Sequence, residues 1–201
     1  MRIGIYGGTF SPVHNGHIEA AKAFMKQMWL DLLYVIPCAE PPHKRMDDSA
    51  TAQQRLDMCD LAFLGIDGVV VSDMEIRRGG KSYTVETLRE LSSPENRLFL
   101  LCGTDMLLTL DTWYCADEIF ELCYPVYVRR EKDCLLDGRI VSKIAEYNDK
   151  YGKVARRIVT EPIEISSSEI RKKIQEGEDV SNFIPISVAE YIDCGRSLIL
   201  R

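Results

Sequence analysis

A glycine-rich turn between a short apolar run and an amphipathic segment is the feature that most constrains how this chain folds. The apolar run is Ile3–Tyr6, and residues 7–17 then read GGTFSPVHNGH. Apolar residues recur with helical spacing over residues 18–30, so the sequence predicts a buried strand, a tight turn and a helix. Gly7 and Gly8 let the backbone turn sharply and approach a ligand closely.

The same turn carries two of the chain's three histidines, at the start of the predicted helix. His14 and His17 are three residues apart, so they share a face if both are helical. A helix N-terminus offers unpaired N–H groups and the positive end of a dipole to an anion. The pattern favours phosphate chemistry on a nucleotide; a turn that only connects two elements is the alternative. Neither the dinucleotide fingerprint nor the P-loop motif is met.

The bulk properties describe an ordinary globular chain. The 201 residues suit a single domain, with 46% hydrophobic and 28% charged residues. The net charge of −6 argues against nucleic acid as the main partner. Since no apolar run has membrane-spanning length and no signal segment is visible at the N-terminus, we expect a cytoplasmic protein without a membrane partner. Whether the chain forms a homo-oligomer is left open by the sequence.

The seven cysteines are expected to be free thiols. Their number is odd, no pair has C-x-x-C spacing, and several lie inside apolar runs, as Cys102 and Cys123 do. Small buried hydrophobes fit this pattern better than a disulfide framework or a zinc site, so we expect no protein metal site.

Strand and helix patterns alternate along most of the chain. The predicted strands are Arg2–Tyr6, Leu32–Ile36, Gly68–Ser72, Leu98–Cys102, Pro125–Arg129 and Arg157–Thr160. The predicted helices are His17–Met28, Gln53–Leu64, Thr84–Leu91, Ala116–Leu122, Leu136–Tyr151, Ser168–Gln175 and Ser187–Cys194. Such alternation predicts a Rossmann-like, doubly wound parallel α/β sheet. One domain over residues 1–201 is expected, with the sheet in residues 1–160 and a helical part in residues 161–201.

Ligands of parallel sheets bind beyond the carboxyl ends of the strands. The turn at residues 7–17, the loop Pro37–Lys44 and the segment Gly103–Asp105 all follow strand ends, so we expect them to meet at one rim. In this setting Lys44 and Arg45 could hold an anionic substrate or form a solvated basic loop.

Three further residues are assigned from their local context. Thr84 is expected to cap the helix that follows it. Asp105 could hold ribose hydroxyls and Trp113 could stack a flat ring, with core packing as the more frequent role of tryptophan.

A second phosphate-binding site is predicted near the C-terminus. Ser166 and Glu169 have capping-box spacing, so a helix is expected to begin there. Its serine hydroxyls and free N–H groups can face phosphate oxygens, and Arg171 can bind phosphate through two parallel N–H donors. An ordinary capped surface helix is the alternative.

Taken together, these motifs resemble those of the H-x-G-H nucleotidyltransferase superfamily, and among them the bacterial nicotinate-nucleotide adenylyltransferases. The resemblance pairs the turn at residues 7–17 with Ile165–Arg171 and runs in order to about Ile192. It also includes the short motifs PPHK at 41–44, SYT at 82–84, GTD at 103–105 and TWY at 112–114.

The resemblance implies that ATP and nicotinate mononucleotide react to give deamido-NAD and pyrophosphate, with Mg²⁺ carried on the ATP phosphates. The catalytic residues it implies are His14, His17, Lys44 and Arg171. The ATP-binding residues are Gly7, Gly8, Thr9, Phe10, Ser11, His14, His17, Gly103, Asp105, Ile165, Ser167, Ser168 and Arg171. The mononucleotide-binding residues are Lys44, Arg45, Tyr83, Thr84, Trp113 and Tyr114.

Two departures and three alternatives accompany this resemblance. Ser11 stands where the family often has aspartate, and Ser168 where it often has threonine. A pantetheine-phosphate adenylyltransferase is disfavoured by His14 and by the Trp113–Tyr114 pair. The other two alternatives are an enzyme that prefers the amide mononucleotide and a nucleotide-binding module without catalysis.

Overall fold

Six parallel strands form one sheet in the order β3-β2-β1-β4-β5-β6. The computed structural model describes residues 1–42, 50–129, 135–160 and 166–199. The strands are β1 Arg2–Gly8, β2 Leu32–Pro37, β3 Val69–Val71, β4 Arg97–Gly103, β5 Cys123–Val128 and β6 Arg156–Ile158. This is the doubly wound order, in which the direction of winding reverses between β1 and β4. The predicted fold class is confirmed.

Helices cover both faces of the sheet. They are α1 Asn15–Gln27, α2 Ala52–Phe63, α3 Met74–Arg78, α4 Thr84–Leu91, α5 Thr104–Leu107, α6 Ala116–Leu122, α7 Leu135–Tyr151, α8 Ser167–Gln175 and α9 Ile186–Ile199, with a 3₁₀ turn at Leu110–Thr112. Each predicted helix is present, and α4 and α6 have the predicted bounds. Neither α3 nor α5 was predicted, since helices this short show no apolar periodicity.

Two hydrophobic cores lie on opposite faces of the sheet because strand side chains alternate between them. Along β4, Phe99 and Leu101 join one core, and Leu98, Leu100 and Cys102 join the other. The first core also contains Ile170 and Val188 of the C-terminal helices and Ile184 from the segment between them.

Close packing of α1 against the sheet depends on a small residue in β1. A Cβ at Gly4 would lie 2.5 Å from Cδ1 of Leu30 and 2.8 Å from Cε1 of Phe24. The glycine therefore lets the C-terminal half of α1 and the residues that follow it pack closely on β1. Among the described residues, no helix combines the length and apolarity needed to cross a membrane.

Candidate active site

The turn after β1 carries the two histidines into buried positions. His14 is the N-cap of α1 and His17 is the third residue of that helix, and their side chains are 1% and 9% exposed. The backbone N–H of His14 donates to Nδ1 of His17 at 3.2 Å, and the ring centroids lie 3.7 Å apart. A neutral His17 then carries its proton on Nε2, because Nδ1 is used as an acceptor. His17 can therefore donate a hydrogen bond from its other nitrogen.

Phe10 shapes this turn from inside the core. Its φ of +50° is in the left-handed region, which costs energy for a residue with a Cβ and is typical of functional sites. Its ring is buried and meets His17 edge-on at 5.0 Å. A Cβ at Gly8 would approach that ring to 3.0 Å, whereas one at Gly7 would meet nothing within 4 Å. Phe10 thus supports the histidine with its side chain, so only its backbone is left to contact a nucleotide.

The helix predicted to form the second phosphate-binding site packs directly on this turn. The capping box is confirmed, because Oγ of Ser166 accepts from the Glu169 N–H at 3.2 Å and the Glu169 carboxylate accepts from the Ser166 N–H at 2.7 Å. The Ser167 hydroxyl donates to the Pro12 carbonyl at 3.0 Å. Two elements 155 residues apart in sequence are thereby joined at their N-terminal ends.

Arg171 makes the second connection between the two helix starts. Its Nη1 donates to the carbonyl of Ser11 at 2.6 Å, and its Nη2 donates to Oγ of Ser168 at 3.2 Å. These two hydrogen bonds fix the orientation of the guanidinium, including that of its remaining N–H groups. The Ser11 side chain itself is buried, so this position contributes its carbonyl to the assembly.

A cavity of about 560 Å³ opens beyond the carboxyl ends of β1 and β4, at the reversal point of the sheet. Its volume lies within the usual range for small-molecule sites. The predicted convergence of three loops is confirmed, since residues 7–9, 41–42 and Asp105 all line it. Eight predicted site residues form part of its wall: Gly7, Gly8, Thr9, Tyr83, Thr84, Asp105, Trp113 and Tyr114.

Aromatic rings and a helix start form the far side of the cavity. The rings of Tyr83 and Tyr114 lie 4.6 Å apart, and Trp113 lines the wall beside them while packing partly against the core. Thr84 is the first residue of α4 and Tyr83 is its N-cap, so the expectation that Thr84 caps this helix is wrong by one position.

The end of β4 closes the adjoining wall. Gly103 precedes α5, and a Cβ there would lie 2.8 Å from Oδ1 of Asp105. The absence of a side chain at Gly103 therefore leaves room for the Asp105 carboxylate beside the strand end, where a Cβ would make it shift. Asp105 is exposed in the cavity wall, where a ribose hydroxyl could reach it.

Two charged residues of this region had no signal in the sequence. Glu75 lines the cavity although its side chain is 7% exposed, and burial raises the pKa of its carboxyl group. It accepts a hydrogen bond from the Thr87 hydroxyl at 2.7 Å. Arg55 is 0% exposed and bonds to the loops that follow β1 and β2. Glu75 therefore places an acidic side chain in the same cavity wall as Tyr83 and Tyr114.

Three predicted site residues cannot be placed. Lys44, Arg45 and Ile165 lie outside the described residues. Of the residues that the structure does describe, none form a group of three or more His, Cys, Asp or Glu side chains that could hold a metal ion.

The thiols are free at each described cysteine, as expected. Cys38, Cys59, Cys102 and Cys123 are buried, whereas Cys115 is half-buried and Cys194 is exposed. Burial raises the pKa of Cys102 to about 12, and it raises the pKa of the other three buried thiols as well. These groups are therefore neutral thiols at physiological pH and are poor nucleophiles.

We therefore expect the cysteines to contribute nothing to the chemistry of the site. A sample kept fully reduced, washed with chelator and resupplied with Mg²⁺ should keep full activity, measured as initial rate against an untreated sample. A rate that returns only with Zn²⁺, or only after oxidation, would contradict this expectation.

Known proteins resemble this chain over almost its whole length. Residues 5–173 match the model of the family described as cytidylyltransferase-like. A probable nicotinate-nucleotide adenylyltransferase of Desulfatibacillum aliphaticivorans is 35% identical and covers 96% of this chain and 97% of its own. One from Pseudomonas syringae pv. tomato is 36% identical, covering 96% and 91%.

Solved structures agree on the fold. The nicotinic acid mononucleotide adenylyltransferase of Plasmodium falciparum complexed with APC superimposes with a TM-score of 0.73 at 19% identity, covering 97% of this chain and 96% of that one. The same enzyme complexed with NaAD gives 0.73 at 20% identity, covering 95% and 94%. The resemblance drawn from the sequence motifs is confirmed.

Proposed function

Because this chain belongs to the cytidylyltransferase-like family, and because its most similar relatives include nicotinate-nucleotide adenylyltransferases, we propose that it transfers the adenylyl group of ATP to nicotinate mononucleotide. The products are deamido-NAD and pyrophosphate. The observation that carries this proposal is the junction of two helix N-termini, made by Ser167 on Pro12 and Arg171 on Ser11. The junction directly follows residues 7–9 of the cavity wall. Two such helix starts provide adjacent sites for the phosphates of a polyphosphate chain.

The proposed reaction is an in-line displacement at the α-phosphorus of MgATP. A phosphate oxygen of the mononucleotide forms the new P–O bond, while the bond from the α-phosphorus to the bridging oxygen breaks and pyrophosphate leaves with that electron pair. No covalent enzyme intermediate is needed. Catalysis then consists of positioning and charge stabilisation, which in phosphoryl transfer supply most of the rate.

The residues at the start of α1 are proposed to stabilise the transition state. His14 and His17 lie where the positive end of the helix dipole adds to any hydrogen bond they donate. His17 is held by its Nδ1 contact, so its Nε2 donor is oriented before the substrate arrives. A preorganised donor of this kind acts without reorganising when charge develops on the phosphate oxygens.

The start of α8 is proposed to hold the leaving pyrophosphate. Ser168 and Arg171 share a hydrogen bond, and Ser167 anchors the helix to the turn. Mg²⁺ would arrive as part of the MgATP substrate and neutralise charge on the same phosphates. From the family resemblance alone, we propose that Lys44 and Arg45 bind near the mononucleotide phosphate.

Different parts of the cavity wall suit the two nucleotide substrates. Asp105 beside Gly103 suits the adenosine ribose, since a carboxylate accepts hydrogen bonds from hydroxyls. Tyr83, Tyr114 and Trp113 suit the flat nicotinate ring, because aromatic rings pack well on one another.

The proposed function is tested by measuring pyrophosphate release from MgATP with and without nicotinate mononucleotide. We expect release only when both substrates are present. Tight ATP binding without any release would instead favour a nucleotide-binding module.

Arg171→Lys is expected to weaken ATP binding and turnover together, by about tenfold or more. A lysine offers a point charge, so it cannot hold Ser11 and Ser168 and also present a planar pair of donors to phosphate. The measurement is KM for ATP and kcat, with the melting temperature as a check on folding. Lys172→Arg, a change on an exposed residue of the same helix, is the matched control. Wild-type values for Arg171→Lys would reduce Arg171 to a surface charge.

A further inference from the structure

A fully buried arginine lies between the loops that build the two halves of the active site. Arg55 belongs to α2, its side chain is 0% exposed, and no carboxylate among the described residues forms an ion pair with it. Its charge is satisfied by neutral acceptors: three backbone carbonyls and one sulfur. A buried charge held in this way costs more to desolvate than an apolar side chain of the same size, so its retention calls for a reason beyond stability.

The two ends of the guanidinium hold different loops. Nη1 donates to the Thr9 carbonyl at 2.9 Å, in the turn after β1. Nη2 donates to the Ala39 carbonyl at 3.0 Å, in the loop after β2. Because the guanidinium is planar and rigid, the two bonds fix the distance between these carbonyls. Thr9 and Cys38, the residue before Ala39, both line the cavity.

The loop after β2 is also fastened on its other side. The Ala39 N–H donates to Oγ of Ser82 at 2.9 Å, and the Ser82 N–H donates to the Glu40 carbonyl at 2.9 Å. Ser82 directly precedes Tyr83 and Thr84 in the wall expected to hold the mononucleotide. One chain of contacts therefore runs from the phosphate turn through Arg55 to the opposite wall.

We propose that Arg55 is a positioning residue that sets the distance between the turn after β1, at Thr9, and the loop after β2, at Ala39. This distance in turn aligns the attacking phosphate of the mononucleotide with the α-phosphorus of ATP. The inference rests on the proposed adenylyl transfer. In-line attack needs the two reacting atoms in near-contact, and a displacement of about 1 Å can cost about a hundredfold in rate. The guanidinium is proposed to touch neither substrate and to act through the loop residues that it binds, chiefly Thr9 and Ala39.

The test compares Arg55→Lys with Arg2→Lys. Lysine keeps the charge but has one point of attachment, so it can hold one loop and not the spacing between two. Arg2 is a matched control, because its guanidinium also binds backbone carbonyls, those of Met28 and Trp29. Arg2 is the first residue of β1, at the opposite end of that strand from the cavity. Wild-type protein is assayed first, and a wild type without adenylyl transfer would refute the proposed function and not this inference.

With an active wild type, we expect kcat of Arg55→Lys to fall about 10- to 100-fold per folded molecule, with KM for ATP changed much less. Arg2→Lys should stay within about twofold of wild type. Unchanged kcat in folded Arg55→Lys, or an equal loss in Arg2→Lys, would overturn the proposal.

A measurement on the wild type keeps the proposal testable if Arg55→Lys does not fold. Magnesium tripolyphosphate lacks the base and ribose, so it engages the phosphate end alone. We expect it to slow hydrogen exchange at the Ala39 amide several-fold, since ordering the Thr9 carbonyl orders the Ala39 peptide across Arg55. The Cys38 amide does not report on Arg55, because it donates directly to the Gly8 carbonyl at 2.9 Å. Binding of tripolyphosphate without any change at the Ala39 amide would overturn the proposal.

Discussion

Replacing His17 by alanine is expected to lower kcat at least about a hundredfold while the fold persists. One preorganised donor to a developing negative charge typically contributes that much. His17 is suited to this role because its Nδ1 accepts from the His14 N–H, which leaves Nε2 as the donor at the start of α1. The measurement is kcat at saturating MgATP and mononucleotide, with circular dichroism and the melting temperature as folding checks.

The variant His17→Asn tests whether His17 acts through its contact with the His14 backbone N–H or through its Nε2 donor. The asparagine carbonyl oxygen can accept the His14 N–H as Nδ1 does, so the helix start should be kept, but the donor stands in a different place. We expect a near-wild-type melting temperature and turnover that remains low. Near-normal kcat in a folded His17→Ala would refute the proposed role of His17.

A strong preference for nicotinate mononucleotide over the amide form is the second large effect. The ring carboxylate is an anion, and the N-terminus of α4 at Thr84 lies in the cavity wall beside Tyr83 and Tyr114. Donors arranged for a carboxylate are poorly satisfied by an amide, so kcat/KM should differ on the order of 10³-fold.

Glu75 bears on this preference because it is in the same wall. Burial raises the pKa of its carboxyl group, so it stays protonated to higher pH than an exposed glutamate and repels the substrate carboxylate less. As pH rises through that raised pKa, Glu75 gains charge and the preference for the acid should weaken. Glu75→Gln should remove this pH dependence while keeping the side-chain shape.

The preference is measured as kcat/KM for the two mononucleotides, in one buffer series and with the same ATP concentration. Comparable values for acid and amide would contradict it and indicate a dual-specificity enzyme.

The sequence was sufficient for elements that are long and strongly patterned. All six strands were placed to within two residues, because buried parallel strands are short apolar runs between turn residues. The C-terminal helix is longer than predicted, since Ile186–Ile199 continues past the apolar pattern that ended at Cys194. The short helices α3 and α5 were missed because their five and four residues are less than two turns.

The motif around His14 and His17 correctly placed a turn after β1 and a helix start there, and the roles of the two histidines stay predictions. No sequence pattern indicated the positions of Arg55 and Glu75. Arg55 lies in an ordinary capped helix whose pattern suggests a solvated face, and only the tertiary structure brings it under Thr9 and Ala39. The same holds for the bond from Arg171 to Ser11, which spans 160 positions.

The central claim is that the α-phosphate of ATP moves to nicotinate mononucleotide, and labelled ATP tests it most directly. With ATP labelled at the α-phosphate, nicotinate mononucleotide and Mg²⁺, the label should appear in deamido-NAD, one molecule for each unlabelled pyrophosphate released. Label that stays in ATP, or is released as AMP while the mononucleotide is unchanged, would contradict the account.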